Sequence, residues 1–193
     1  MNFSNLDPQQ VLASLDAVGL RGDGRILQLN SYENRVFQVF LEDGRVVVAK
    51  FYRPGRWLEA QIIEEHTFAA ELMAAEVPVV GALQLHSHTL HHFKGFAFSV
   101  SPSRGGRRPE LENFEVLEWI GRFLARIHTV GSTQAFAHRP ALSLQTFGYA
   151  SREVLLAGKY LPLDMESRWL RAFEEAMQTA TAVFESVGDI KNI

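Results

Sequence analysis

The hydrophobic pattern of this chain changes its period along the sequence, and that change constrains the fold more than any other feature. Between residues 25 and 52, short apolar segments typical of β-strands alternate with polar turns. From residue 58 to 75, apolar side chains recur at the three- and four-residue spacings of a helix, and beyond residue 105 the pattern is helical throughout. The sequence therefore predicts a sheet with one inserted helix, followed by an all-helical part.

The predicted strands are antiparallel and cover residues 25–30, 35–40, 45–52, 83–85 and 95–100. An N-terminal helix begins after Asp7, whose side chain can cap it, and ends at Gly19. Pro78 stops the inserted helix. We expect an α+β fold with a boundary after residue 101, which gives an N-terminal lobe at 1–101 and a partial helical lobe at 102–193.

Composition narrows the class of protein. A hydrophobic fraction of 47% is enough for a packed core, and the net charge of −3 argues against a general nucleic-acid binder. No apolar run reaches the roughly 18 residues of a membrane span, and the first residues lack the features of a signal peptide. We therefore expect a cytoplasmic protein without a membrane or nucleic-acid partner. The absence of cysteine excludes thiol catalysis and cysteine-based zinc sites.

Lys50, at the end of the third predicted strand, is the first candidate functional residue. Kinases need a cation at this place against the α- and β-phosphates of ATP, and a helix carboxylate holds that cation. Glu64 and Glu65 both lie at suitable positions on the inserted helix. Helical phase selects Glu65, because it shares the inward stripe with Ile62 and Leu72, and a charge on an inward face needs a partner. The sequence thus predicts an ion pair between Lys50 and Glu65.

The segment Asn30-Ser31-Tyr32-Glu33-Asn34 connects the first two strands, at the position where kinases cover the phosphates. It contains no glycine, so it is not the glycine-rich loop of protein kinases. The Ser31 hydroxyl and the loop amides could approach phosphate oxygens. By composition alone, a polar hairpin accounts for the same residues.

Several segments carry a resemblance to a known family: residues 29–36 (LNSYENRV), 50–57 (KFYRPGRW), 64–66 (EEH), 76–79 (EVPV), 105–107 (GGR), 121–128 (GRFLARIH) and 138–140 (HRP). In these segments the chain resembles the bacterial stress response kinase A family, whose members are aminoglycoside-phosphotransferase-like Ser/Thr kinases, except that residues 121–128 resemble the first C-terminal-lobe helix of the wider superfamily. The resemblance extends along nearly the whole chain. It implies a protein-kinase-like fold with a five-stranded N-terminal lobe.

The resemblance also implies an activity, namely ATP- and Mg²⁺-dependent phosphorylation of Ser or Thr in a protein substrate. The implied ATP-binding residues are Ser31, Tyr32, Glu33, Asn34, Lys50 and Glu65, with backbone groups around Ser99, Val100 and Ser101 as the adenine-binding hinge.

The catalytic loop of the family is a His-Gly-Asp sequence with an asparagine five residues after the aspartate, and it is not recognisable here. Asp189 and Asn192 near the C-terminus imitate it, but their spacing is three and no histidine precedes Gly188. We therefore expect no catalytic residue and no Mg²⁺ ligand in this chain. The expectation is a kinase interrupted before its catalytic loop, inactive by itself.

Two alternative functions stay open. One is a small-molecule kinase of the same superfamily that acts on an aminoglycoside, choline or a homoserine-like alcohol. The other is a non-catalytic nucleotide-binding or interaction module.

Other clusters favour ordinary structural interpretations. Four histidines, His86, His88, His91 and His92, are more simply a solvated hairpin tip than a metal site. Arg104, Arg107 and Arg108 could meet phosphate or an acidic substrate, but a solvated loop is the favoured interpretation. Trp169 and Phe173 are predicted core residues, and their helix face could mediate self-association if it is left uncovered.

Overall fold

The computed structural model describes residues 3–187 of the chain. Its central element is a five-stranded sheet in which every pair of neighbours is antiparallel, in the order β1-β2-β3-β5-β4. The strands are β1 (Gly22–Leu29), β2 (Arg35–Leu41), β3 (Val46–Phe51), β4 (His91–Phe93) and β5 (Phe96–Pro102). The predicted α+β class and the five-stranded antiparallel sheet are confirmed.

The helices begin and end close to the predicted positions. They are α1 (Pro8–Asp16), α2 (Glu59–Ala74), α3 (Phe114–Gly131), α4 (Ala150–Ala157) and α5 (Leu163–Val187), with a short 3-10 turn at Phe3–Asn5 and a π-helical turn at Leu144–Tyr149. Asp7 caps α1 as predicted, because its Oδ1 accepts a hydrogen bond from the Gln10 amide at 2.7 Å. The π-helical turn and α4 were not predicted.

The predicted strand over residues 83–85 is wrong. Leu83 and Leu85 alternate like a strand and pack against the core, but their pairing is limited to one hydrogen bond from the Leu83 amide to the Val100 carbonyl and an isolated bridge from Leu85 to His88. The edge strand is instead β4, which a two-residue turn connects to β5. That turn has positive φ at Lys94 (45°) and Gly95 (85°), a backbone form in which glycine is unstrained.

The two faces of the sheet have different chemistry. One face forms the main core, in which Val39, Ala49 and Phe98 pack with Val11 and Leu15 of α1. These side chains are completely buried. Because side chains alternate along a strand, residues between them, such as those neighbouring Ala49 on β3, point to the opposite face. That second face is the one that α2 covers.

Both ends of α2 are fixed by hydrogen bonds. At its start the Leu58 amide donates to Gln61 Oε1 at 2.9 Å, so Leu58 lies at the cap and is exposed rather than inward as its place in the stripe predicts. At its end Arg126 of α3 donates to the carbonyl oxygens of Ala75 and Glu76 at 2.8 and 3.0 Å. A cation at a helix C-terminus also complements the helix dipole. The Arg126 bonds therefore anchor the C-terminal end of α2, whereas the Leu58 bond lies within the helix and its cap.

The chain divides into two compact units, one that reaches Val130 and one that begins at Gly131. In the second unit, Trp169 stacks on Phe173 with ring centroids 5.2 Å apart, and Arg152 pairs with Glu174 at 2.7 Å. The lobe boundary after residue 101 stays a prediction. Of the helices in the described residues, none has the length and apolar character required to cross a membrane.

Candidate functional site

Lys50 and Glu65 meet on the face of the sheet that α2 covers. The Lys50 side chain leaves β3 on this face, and its Nζ lies 3.0 Å from Glu65 Oε1. The ion pair predicted from strand position and helical phase is therefore present. Glu65 reaches Lys50 because it lies three residues after the buried Ile62, so both side chains project from the same side of α2.

The ion pair is open to solvent on one side. The side chains of Lys50 and Glu65 are 32% and 41% exposed. The Lys50 ammonium also lies 4.8 Å from the centre of the Tyr52 ring, a cation–π distance. An ammonium has three N–H donors, so a lysine in this position can donate to an anion that arrives from solvent while it stays paired with Glu65.

A buried polar network lies directly behind the pair. The Tyr52 hydroxyl is 2.8 Å from His66 Nε2 and 3.1 Å from Ser99 Oγ. On the other side of its ring, His66 Nδ1 is 2.9 Å from Thr89 Oγ1. Tyr52, His66 and Ser99 are all buried. The network therefore connects the end of β3, helix α2, β5 and the segment before β4.

Burial lowers the pKa of His66, and the nearby Lys50 ammonium lowers it further, whereas the Glu65 carboxylate raises it. The imidazole is consequently favoured in its neutral form. Sequence reasoning missed this group. The available signal was the inward position of His66, one helical turn after Ile62, because a polar side chain on an inward face requires hydrogen-bond partners.

The β1–β2 loop is stabilised by hydrogen bonds within the loop and by contacts with the segment that follows β3. Ser31 Oγ donates to the Asn34 carbonyl at 2.7 Å, and Asn34 Oδ1 accepts from the Arg53 amide at 3.2 Å. Tyr32, in contrast, is fully exposed. The Asn34 side chain therefore holds the loop against the segment that follows β3, and the Ser31 hydroxyl stabilises the turn itself.

Glu33 provides a second brace to the same segment. Its Oε1 lies 2.7 Å from Arg56 Nε, and the Arg56 guanidinium stacks over the Trp57 ring at 4.6 Å. Within residues 3–187 this buried Oε1 has the ion pair but no well-aligned hydrogen bond. Of the four predicted loop residues, Ser31, Glu33 and Asn34 thus contact protein groups, and a role of this loop in nucleotide binding stays a prediction.

The predicted hinge residues lie inside β5. Ser99 pairs with Lys50 and Ser101 pairs with Val48, while the Val100 carbonyl accepts a hydrogen bond from the Leu83 amide at 2.7 Å. The Ser99 side chain is committed to the buried network. Their contact with adenine stays a prediction, and the backbone groups that already pair within the sheet are not available to a ligand.

The four histidines occupy different environments. His86 and His88 are exposed at a tight turn, where the His88 ring bonds to the His86 carbonyl at 2.8 Å, and His92 pairs with Glu59 at 3.0 Å. His91 is buried against Phe98, so the prediction of a solvated tip is wrong for this residue, and burial lowers its pKa. The described residues contain no group of three or more His, Asp or Glu side chains that could hold a metal ion.

The remaining predicted residues are the arginine cluster that follows β5 and the two residues near the C-terminus. Arg104, Arg107 and Arg108 lie exposed between β5 and α3, outside any helix or strand. Asp189 and Asn192 lie outside the described residues.

The fold and this site define a class of protein. An antiparallel five-stranded sheet with a helix inserted after the third strand, and a strand lysine paired with a carboxylate of that helix, is the arrangement of kinase-like phosphotransferases. Comparison with known proteins agrees with this class. The family model described as "Phosphotransferase enzyme family" matches residues 25–184, and the chain belongs to that family.

Relatives with curated names are kinases. The chain is 40% identical over 180 residues to stress response kinase A of Escherichia coli O157:H7. The aligned region covers 93% of this chain and 55% of the relative. It is 37% identical over 179 residues to the serine/threonine protein kinase RdoA of Salmonella typhimurium, with the same coverage of 93% and 55%. The resemblance inferred from the motifs is confirmed. The chain spans about half the length of the curated relatives that it matches.

Solved structures show the same fold. The amicoumacin kinase hAmiN, solved in complex with AMP-PNP, Ca²⁺ and Ami, superposes with a TM-score of 0.70 at 19% identity over 91% of this chain and 54% of its own. The apo form of a thermostable mutant of aminoglycoside phosphotransferase APH(4)-Ia superposes with a TM-score of 0.54 at 14% identity, over 89% and 60%. The predicted kinase-like fold is confirmed.

Proposed function

We propose that this chain forms the ATP-binding part of a serine/threonine protein kinase of the bacterial stress response type. The reaction is transfer of the γ-phosphoryl group of MgATP to a Ser or Thr hydroxyl of a protein. The single observation that carries the proposal is the Lys50–Glu65 pair at 3.0 Å, half open to solvent on the face of the sheet that a nucleotide would approach. The name of one curated relative, the serine/threonine protein kinase RdoA, supports the protein acceptor.

Each group in the site has a distinct task in this proposal. Lys50 donates to the α- and β-phosphates, and Glu65 fixes the direction of its ammonium group. The Ser31–Asn34 loop approaches the phosphates through backbone amides and the Ser31 hydroxyl. Adenine is recognised by backbone groups around Ser99, Val100 and Ser101, other than those that already pair with β3 or with Leu83.

ATP supplies the phosphoryl group, and Mg²⁺ neutralises phosphate charge in reactions of this class. Transfer forms a bond from the acceptor oxygen to the γ-phosphorus and breaks the bond from that phosphorus to the bridging oxygen, which leaves with ADP. The described residues contain no group of three or more His, Asp or Glu side chains that could hold a metal ion, so we assign no Mg²⁺ ligand to them. We assign no catalytic base because the His-Gly-Asp sequence of the family is not recognisable in this chain.

Nucleotide binding is the direct test. ATP affinity of the wild-type chain is measured by competition with a fluorescent ATP analogue, with Mg²⁺ present, and compared with Lys50→Ala. Because a hydrogen bond to a charged group contributes about 1.5–3 kcal/mol, the variant should bind ATP at least about tenfold more weakly. Arg45→Ala is the matched control: it removes a paired cation just before the same strand, and its affinity should equal that of wild type. Equal binding by wild type and Lys50→Ala would refute the proposed site.

A small-molecule kinase is the second candidate, and the hAmiN superposition favours it. Because this chain is expected to be inactive by itself, the assay uses a protein that contains this chain together with the catalytic loop. Labelled ATP, offered to that protein with either casein or a panel of aminoglycosides, choline and homoserine, distinguishes the two. Transfer to protein Ser or Thr supports the first candidate, and transfer to an alcohol of the panel supports the second.

Self-association through the Trp169 and Phe173 face is also proposed, with a narrower basis. The two rings are half-buried and stack on each other, so only their outer edges could meet a second copy. A single monomeric species in sedimentation velocity would contradict it.

A further inference from the structure

The Lys50–Glu65 contact needs more than its own attraction to stay in place. Both side chains are partly exposed, and exposed ion pairs contribute little to stability. The apolar contacts of α2, through Ile62 and Leu72, favour burial but are not directional. A small rotation of α2 would keep these apolar side chains covered and still move the Glu65 carboxylate out of reach of Lys50.

His66 supplies directional contacts beside Glu65, whereas the hydrogen bonds from Arg126 act at the far end of α2. It is the residue after Glu65, and both of its ring nitrogens lie within hydrogen-bond distance of buried or half-buried hydroxyls, those of Tyr52 and Thr89. Among the described residues, it is the one polar side chain of α2 that is buried. Hydrogen bonds lose strength steeply when they are misaligned, so two of them on opposite sides of one ring fix the rotation of the helix.

The network also reaches the strands that carry Lys50. Tyr52 follows Lys50 by two residues, and Ser99, which bonds to the Tyr52 hydroxyl, is the direct partner of Lys50 in the β3–β5 register. The neighbours of Glu65 and the neighbours of Lys50 are thus connected by one buried chain of hydrogen bonds.

We propose that His66 is a positioning residue: through Tyr52 and Ser99 it sets the rotation of α2 that brings Glu65 to Lys50. The effect on the ion pair follows from geometry alone, and the effect on ATP affinity rests on the proposed function.

Four variants separate the contacts of His66. His66→Phe keeps a ring but removes both hydrogen bonds, and Tyr52→Phe removes only the hydroxyl. His66→Gln can place a polar atom where Nε2 lies, toward Tyr52, whereas His66→Asn places one where Nδ1 lies, toward Thr89. If the Tyr52 contact sets the helix, His66→Gln should behave like wild type and the other three should not.

The first readout is the chemical reactivity of Lys50, which does not depend on nucleotide. The chain has four lysines, Lys50, Lys94, Lys159 and Lys191, so acetylation at each can be followed by mass spectrometry. The Lys50 nitrogen must leave the Glu65 carboxylate before it can be acetylated. Glu65→Gln should therefore raise the Lys50 rate by up to about fivefold, the factor that corresponds to loss of an exposed ion pair. His66→Phe and Tyr52→Phe should raise it to the same extent, with Lys94 and Lys159 unchanged.

A double-mutant cycle tests whether His66 acts through Glu65. In the double variant of His66→Phe and Glu65→Gln, Lys50 should react no faster than in Glu65→Gln alone, because the contact is already lost. A merely structural role would add the two effects. The second readout is ATP affinity, which His66→Phe should reduce in the wild-type background and leave unchanged in the Lys50→Ala background.

The outcomes are distinguishable. Wild-type Lys50 reactivity in both His66→Phe and Tyr52→Phe, additive effects in the cycle, or a parallel rise at Lys94 would each overturn the proposal. If the labelling results are as expected but wild type binds no ATP, His66 still positions the pair and the proposed nucleotide function fails. If wild type binds ATP and the labelling is unchanged, only the positioning role fails.

Discussion

Replacement of Glu65 by Gln should leave the fold almost unchanged while it weakens the site. This outcome is expected because the Lys50–Glu65 pair lies at the surface of the α2 face rather than in the core. An ion pair that served the fold would be buried and costly to break, whereas one that serves a ligand must be reachable.

The size of the stability effect follows from the distance and the exposure. Two unit charges 3.0 Å apart attract by about 1.4 kcal/mol in water. Side-chain ordering and salt reduce this value, and measured exposed pairs contribute about 0.2–1 kcal/mol. With exposures of 32% and 41%, this pair belongs near that range. We expect Glu65→Gln to lower the free energy of unfolding by at most about 1 kcal/mol.

The assay must report on the first unit alone, because a chain of two compact units is not required to unfold in one step. Trp57 packs against the cluster of Tyr52, Ile62 and Leu90, so its fluorescence reports on α2 and the sheet. In a background with Trp119→Phe and Trp169→Phe, urea unfolding of the wild-type and Glu65→Gln proteins gives the difference directly.

A loss greater than about 2 kcal/mol would refute the reasoning, since no partly exposed pair at this distance supplies so much. The control is Asp43→Asn, which removes the carboxylate of an exposed pair to Arg45 at 2.7 Å and should cost a similar small amount.

Three other perturbations have expected outcomes. Burial lowers the pKa of His66 and of His91 below the ordinary 6.5, so the unfolded chain binds more protons than the folded chain. The free energy of unfolding should therefore fall as the pH decreases below about 6.5, by up to about 1.4 kcal/mol per pH unit for each histidine. In urea titrations at several pH values, His91→Phe should flatten this slope, and an unchanged slope would contradict the prediction. Phe98→Ala empties a fully buried position and should cost about 3–5 kcal/mol in the same unfolding assay, so a cost below about 1 kcal/mol would show that the core is not packed around it. Gly95→Ala imposes a side chain at φ 85° and should destabilise the first unit by about 1 kcal/mol, whereas Gly105→Ala, in open space and without positive φ, should not; equal effects would contradict the turn assignment.

The Lys50–Glu65 pair could be predicted from sequence because the direction of each side chain follows from the local sequence pattern. Strand alternation fixes the face on which Lys50 leaves β3, and helical phase fixes the side of α2 on which Glu65 lies. Because a short connection joins β3 to α2, the helix covers the adjacent face of the sheet. Lys50 and Glu65 then face each other and form the ion pair.

The buried network could not be predicted in the same way. Its contacts join residues 14, 23 and 47 positions apart in the sequence. Periodicity indicates that Tyr52 and His66 face inward, but it does not indicate which hydroxyl lies opposite which nitrogen. Those partners depend on the height at which α2 crosses the sheet, which only the packed structure defines.

The edge strand was misplaced for a related reason. Leu83 and Leu85 alternate with polar residues as in a strand, but they lie in a loop, and their side chains pack on the core. The signal for the true hairpin was the Lys94-Gly95 pair, whose first residue adopts a positive φ that lysine rarely takes.

The braces of the β1–β2 loop change how the sequence motifs of this chain should be interpreted. Glu33 and Asn34 come from one distinctive segment, and Arg53 and Arg56 from another, and in the structure the two segments hold each other. A residue in a shared motif can therefore be present because it shapes the loop, without touching a nucleotide. Lys50 differs from these residues in that its partner leaves the ammonium open to solvent, and an ammonium that the fold does not fully use is the feature that an anionic ligand requires.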